Sequence, residues 1–285
     1  MNKESLRKFW YSLSPKYRFT IRRLYYFPAD LRDKIQGKRH KYVPPRGSIY
    51  TGSPANAEAY IDQGRRQLQL LKQHINLKPD DAILDIGSGI GRTAIALTEY
   101  LKPQGSYTGF DVVKLGVDWC NSKIGKDHPN FQFEYIPLFN DLYNTSDLKA
   151  EEFVFPYNED AFDKVFSFSV FTHMQIDEIQ NYFKETYRVL RKDGLAFSTF
   201  FLYDDHNENY ISTDNKFKFP IKKNGFRLMN DDVKSGNIAI HKATLKAMLA
   251  KENLEAVTII DGFWKNKSNY SKMASYQDVV VFRKI

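Results

Sequence analysis

Residues 83–91 read Ile83-Leu84-Asp85-Ile86-Gly87-Ser88-Gly89-Ile90-Gly91, an apolar run holding one acid and closed by three alternating glycines. Alternating glycines let the backbone turn sharply out of a buried strand, taking φ > 0 where needed and leaving no side chain in a ligand's way. A helix is predicted to start near Ile90 and run through Arg92, Ala94, Ile95, Leu97 and Thr98. Its unpaired N–H groups then face whatever anionic group is seated at the turn. A dinucleotide turn needs a third glycine in G-x-G-x-x-G, and Arg92 stands where it would fall, which disfavours NAD.

Outward from this turn the pattern alternates. Strands are expected over 82–86, 106–110, 131–136, 162–169 and 194–201, with helices over 56–75, 90–101, 113–123 and 176–191. That alternation predicts a parallel sheet with helices on both faces, whose ligands collect at the carboxyl ends of the strands. Residues 202–238 read as polar, aromatic and irregular. A helix from His241 to Lys251 and strands over 254–261 and 277–284 follow them. The second strand, Gly105-Ser106-Tyr107-Thr108-Gly109-Phe110-Asp111, ends in an acid, and one ionised Asp has lone pairs for two hydroxyl donors.

The glycine turn and Asp111 together resemble the class I S-adenosylmethionine-dependent methyltransferases over roughly residues 49–285. The resemblance implies an α/β fold: a doubly wound, mostly parallel seven-stranded sheet with an antiparallel edge made by the last strands. It implies S-adenosylmethionine as cofactor, its methionine end held by Asp85, Gly87, Ser88, Gly89, Gly91 and Arg92, and its ribose by Asp111 and Val112. Thr51, Gly52 and Gly64 lie where a subgroup of the family places an N-terminal loop and helix against the methionine end. Where the family sets an adenine-binding Asp after the third strand, this chain has Pro137 and Leu138, with Asn140 or Asp141 as substitutes.

The stretches from Gly109 to Val113, Gly116 to Cys120, Phe166 to Met174 and Gln277 to Lys284 are similar to a bacterial subgroup found among surface-polysaccharide and secondary-metabolite genes. That likeness implies O-methylation of a sugar or related small or lipid-linked acceptor. A hydroxyl acceptor needs a base within hydrogen-bond reach. His173, just beyond the strand ending Ser167-Phe168-Ser169, is the first candidate, followed by His241 and Tyr203. The same Ser167-Phe168-Ser169-Val170 replaces the Asn-Pro-Pro-Tyr stretch of amine-methylating nucleic-acid enzymes, which disfavours amines. Residues 202–238 are expected to cover the substrate, with Phe200, Phe201, Tyr203 and Trp264 as aromatic walls. Asp204-Asp205-His206 reads as a solvated loop, and no metal is expected.

The net charge of +8 is uneven. Residues 1–46 hold 13 Lys and Arg against 3 acids, a net of +10, and the remainder carries −2. Within that arm Leu6, Phe9, Trp10, Leu13, Tyr17, Ile21 and Leu24 fall on helical spacing, and Ser14-Pro15 is expected to divide it into two helices. A charged, proline-stopped loop over 38–46 marks its boundary, leaving 47–285 as the catalytic domain. Such an arm suits docking on its own domain or a partner subunit, then peripheral contact with an anionic membrane, and least of all RNA. Cys120 is the lone cysteine, so no intrachain disulfide forms, and the cytoplasm is the expected compartment.

Overall fold

β1 (Ala82–Ile86) is buried along nearly its whole length rather than on alternate residues, the signature of a strand covered on both faces. The computed structural model describes residues 13, 15–52, 56–139, 146–231, 236–265 and 275–285. Before β1 come α1 (Pro15–Ile35) and α2 (Ala57–Ile75). The Asn56 side chain accepts from Ala59 N–H at the start of α2, and Asn76 in the left-handed region (φ 49°) ends it. After β1 the chain runs α3 (Arg92–Thr98), β2 (Ser106–Asp111), α4 (Lys114–Cys120), β3 (Phe131–Tyr135), β4 (Phe162–Ser167), α5 (Ile176–Val189) and β5 (Leu190–Phe200).

The third part comprises β6 (Leu202–Tyr203), α6 (Glu208–Thr213), β7 (Ile221–Lys222), β8 (Phe226–Leu228), β9 (Ile238–His241), α7 (Lys242–Lys251), β10 (Leu254–Ile260) and β11 (Asp278–Lys284). The main sheet has the order β10-β11-β5-β4-β1-β2-β3. Within it β11 is the reversed strand, antiparallel to both β5 and β10, and the remaining pairs are parallel. The last two strands therefore make the expected edge, with β11 one position in from the margin.

Side chains alternate across this sheet as the pleat requires. Ile83, Tyr107, Phe166, Val279 and Val281 point into a core shared with Tyr60, Leu68 and Leu71 of α2 and Leu97 of α3. Leu84, Phe110, Val165, Val280 and Phe282 point to the opposite core, closed by Ile179 and Phe183 of α5 and Leu245 and Leu249 of α7. Both faces are covered, so the carboxyl ends of the parallel strands are left to form a site.

Two expectations change. Residues 202–238 were expected to be irregular, but their described part contributes to a second, four-stranded sheet of order β6-β9-β8-β7 over the aromatic cluster Phe201, Tyr203, Phe219 and Trp264. Strands of two to four residues carry too few alternations to announce themselves. The arm differs as well. Leu6, Phe9 and Trp10 lie outside the described residues, whereas α1 begins at Pro15 as expected but continues to Ile35, through Pro28. Long-range ion pairs override the local rule there, because Asp30 accepts from Arg39 and Arg46 (both 2.8 Å) and Asp33 from Arg46. Tyr42, Val43 and Ile49 are buried in the core beneath α2, so the segment drawn as the arm's boundary packs as part of the main body.

Candidate functional site

The three turn glycines all take positive φ (Gly87 76°, Gly89 60°, Gly91 85°). The amides of Gly87 and Ser88 both donate to Phe110 O at 2.9 Å, folding the turn back over the end of β2. Added β-carbons would lie 2.4 Å from Val170 Cγ2 at Gly87 and 2.8 Å from Thr51 Cγ2 at Gly89, so neighbouring segments close on bare backbone. Asp111, at the last position of β2, accepts from Gly89 N–H through Oδ2 and from Val113 N–H through Oδ1, both at 2.8 Å. Oδ1 also accepts the Tyr50 hydroxyl at 3.4 Å, while Oδ2 keeps a further lone pair. Burial lifts this carboxyl to about 6 against the lowering effect of those two amides.

Asp85 accepts the Tyr107 hydroxyl at 2.7 Å. Burial raises it to about 7, the phenol bond opposing and the charge of Asp111 adding to the rise. Facing the same cavity is Arg92, whose burial pulls its pKa down; its Nε donates to Gln67 Oε1 at 3.1 Å, and Thr93 Oγ1 donates to the same oxygen at 2.8 Å. The turn thus carries an acid and a base side by side, a match for a zwitterionic amino-acid group. Ser88 Oγ and Gln63 Oε1 also line the cavity, buried and without a partner among the described residues. Orphaned polar atoms of this kind want a hydrogen-bonding ligand. These residues fit the methionine end and ribose of the cofactor that the sequence implies.

The cavity measures about 970 Å³ and continues from the turn to the ends of β4 and β5. Such a volume lies at the upper end of the roughly 300–1,000 Å³ range of small-molecule sites. Its far part is walled by Phe168, Phe201, Phe217 and Tyr276, with the amides of Asn237 and Gln277 among them. His173 closes a short 3₁₀ turn (Phe171–His173) and borders the same space, half-buried. Ser169, with φ 61°, is held by its amide donating to Thr199 Oγ1 and its hydroxyl donating to Gln277 Oε1, both at 2.8 Å.

Of the residues singled out from sequence, Thr51, Gly52, Asp85, Gly87, Ser88, Gly89, Arg92, Asp111, Val112, Leu138, Ser169 and His173 meet on this one cavity. Others do not. Gly64 is a packing glycine, because a β-carbon there would stand 2.3 Å from Arg92 O where α2 crosses α3. Gly91 caps α3 and packs against Cys120 Sγ. Pro137 is exposed beside the cavity-lining Leu138, Asn140 and Asp141 lie outside the described residues, and Ser167 is sealed under the sheet with its hydroxyl donating to Ser198 Oγ at 2.9 Å. Tyr203 is buried in the second sheet's core with its ring edge-on to His241, whose Nδ1 caps α7 and whose Nε2 stands 3.3 Å from Asp205. Neither reaches the cavity. Of the proposed aromatic walls only Phe201 does; Phe200 stacks on Phe171, while Trp264 donates to Asp278 at 2.7 Å. Gln63, Gln67 and Gln277 also line the cavity; the two glutamines of α2 stand in no motif, and Gln277 enters the sequence reading only as the first residue of the terminal strand stretch.

Residues 83–194 match the model of a methyltransferase domain family. A sterol 24-C-methyltransferase from Pneumocystis carinii is 22% identical over 145 residues, covering 50% of this chain and 33% of that protein. The chain thus spans about a third of the length of that relative. Among solved structures, 1,6-didemethyltoxoflavin-N1-methyltransferase from Burkholderia thailandensis, with 1,6-didemethyltoxoflavin and S-adenosylhomocysteine bound, is 16% identical at a TM-score of 0.52, over 90% of this chain and 88% of that one. The [4+2]-cyclase SpnF is 15% identical at 0.51, over 94% and 96%. At such identities the likeness is one of fold. Residues 83–194 are thus similar to a methyltransferase domain, and the seven-stranded sheet that carries them has the fold seen in these solved methyltransferase structures.

Proposed function

We propose that this protein transfers a methyl group from S-adenosylmethionine to a hydroxyl of a sugar or related small or lipid-linked acceptor. One observation carries the reading: a single cavity joins the Asp85, Arg92 and Asp111 cluster to His173 and an aromatic wall with interleaved amides. When bound, the cofactor supplies an electrophilic methyl on a sulfonium centre. Arg92 would pair with its carboxylate, Asp85 with its ammonium, and Asp111 would accept from the ribose hydroxyls. Flat aromatic faces with Asn237 and Gln277 amides suit the apolar face and hydroxyl rim of a ring-shaped acceptor.

His173 is assigned the base that takes the acceptor's proton as the new bond forms, and Gln277, fixed by Ser169, the group that orients the acceptor. Residues 47–285 then act as the catalytic unit, with 202–238 contributing Phe217 and Asn237 to the acceptor side. The test is transfer of labelled methyl from S-adenosylmethionine into cell extract fractionated into glycans, lipids and RNA. Label in glycans or glycolipids supports the assignment, and label confined to RNA replaces it. Because the [4+2]-cyclase SpnF shares this fold, cofactor binding with no label transferred to any fraction would mark a non-transferring use of the site.

A further inference from the structure

α1 turns its apolar residues the wrong way for a helix that merely packs on its own domain. Tyr17, Ile21, Leu24, Leu31 and Ile35 follow a spacing that keeps them on one stripe, and all five are exposed, Leu24 at 71% and Ile35 at 77%. The inner contacts come from other positions and are largely polar: Arg22 donates to Ile49 O and Arg23 to Ser48 Oγ, beside Phe19 edge-on to the Tyr50 ring. Both acids of the helix, Asp30 and Asp33, are tied to Arg39 and Arg46. The outward surface is accordingly apolar and cationic: Asp33 also lies 3.9 Å from Arg32, and neither acid of α1 pairs with Lys34 or the following Lys38 among the described residues. Along the edge of this stripe lies an open cleft of about 420 Å³ walled by Phe27, Leu31 and Trp119, with Arg23 and Lys34 also on its walls.

We propose that α1 lies in the interface of an anionic lipid bilayer, its stripe among the acyl chains and its cations at the headgroups. Charge selects this occupant. Residues 1–46 carry a net +10, so two copies meeting along this face would repel, whereas an anionic surface draws it in. Aliphatic Ile21, Leu24 and Ile35 gain from a bilayer and offer nothing to RNA phosphates. No helix among the described residues is long and apolar enough to cross a membrane, so the contact is peripheral.

The experiment is cosedimentation of the full chain with vesicles of phosphatidylcholine alone or mixed with phosphatidylglycerol. Binding is expected to the mixed vesicles only and to weaken with added salt. Leu24→Glu/Leu31→Glu should lower the partition coefficient about tenfold or more, with circular dichroism and S-adenosylhomocysteine binding unchanged. Lys34→Glu/Lys38→Glu, a change of charge alone, should also reduce binding. Equal binding to neutral vesicles, no binding to either, or undiminished binding by both variants overturns the proposal. A dimer in sedimentation velocity that Leu24→Glu/Leu31→Glu dissociates, or RNA binding that the same variant abolishes, overturns it in favour of those partners.

Discussion

Gly89 N–H donates to Asp111 Oδ2 at 2.8 Å, which makes the glycine turn after β1 and the acid at the end of β2 one hydrogen-bonded unit. Asp111→Asn keeps the shape but gives one of the two backbone amides a donor to face. Affinity for S-adenosylmethionine should fall about tenfold to hundredfold, the equivalent of one charge-assisted hydrogen bond of about 1.5–3 kcal/mol. Isothermal calorimetry reads this directly.

His173→Ala removes an imidazole that borders the cavity beyond the end of β4. Turnover should drop by about 10²–10⁴-fold with cofactor affinity unchanged. Full turnover in this variant would dismiss His173 as the base.

Cofactor binding should tighten as pH rises from 6 to 8. Burial holds Asp85 at about 7 and Asp111 at about 6. Only the ionised carboxylates attract an ammonium and accept from two hydroxyls. Binding near pH 6 should therefore release protons, seen as a dependence of calorimetric heat on the buffer's ionisation enthalpy. Stability runs the other way. Asp85 binds its proton more tightly folded than unfolded, so its contribution is complete below 3.8 and is lost as pH rises through about 7. Asp85→Asn should flatten both profiles.

Gly47→Ala should loosen α1. A β-carbon there would stand 2.5 Å from Arg23 N and 2.6 Å from Arg23 Cα, backbone atoms that cannot swing aside. A cost of about 1–3 kcal/mol is expected, read as faster tryptic cleavage within residues 18–32.

Asp278→Asn should destabilise the chain by about 3–5 kcal/mol in denaturant unfolding. The Asp278 carboxylate is fully buried and accepts from Leu202 N–H (2.6 Å), Gly262 N–H (2.7 Å) and Trp264 Nε1 (2.7 Å), with Lys265 Nζ at 3.1 Å. Without its charge, Lys265 loses its buried counter-ion and, among the described residues, keeps only the half-exposed Asp261, at 2.9 Å.

The sequence disclosed what local pattern controls. Apolar runs mark the strands of the main sheet, and the turn glycines with Asp111 mark its ligand edge, because bare backbone and a terminal acid are chemical demands of the site itself. The length of α1 was not legible, since ion pairs from Arg39 and Arg46 to Asp30 hold the helix together past Pro28. Gly64, expected against the methionine end, instead lets α2 and α3 cross closely. The acceptor wall was the least legible part: Ser169 meets Gln277 across 108 positions of chain, and no periodicity encodes such a meeting. Tyr203 and His241 show the converse, being side chains of reactive type that β6 and β9 place against each other instead of in the cavity.

The position of β11 sets an order of events during synthesis. β10 reaches the sheet only through β11, yet β11 is made later. A nascent chain can therefore complete β1 to β5, and with them the cofactor end, while Tyr276, Gln277 and the Asp278 cluster are still to be translated. The acceptor end is completed last, when β11 pairs with β5 and carries β10 onto the edge of the sheet.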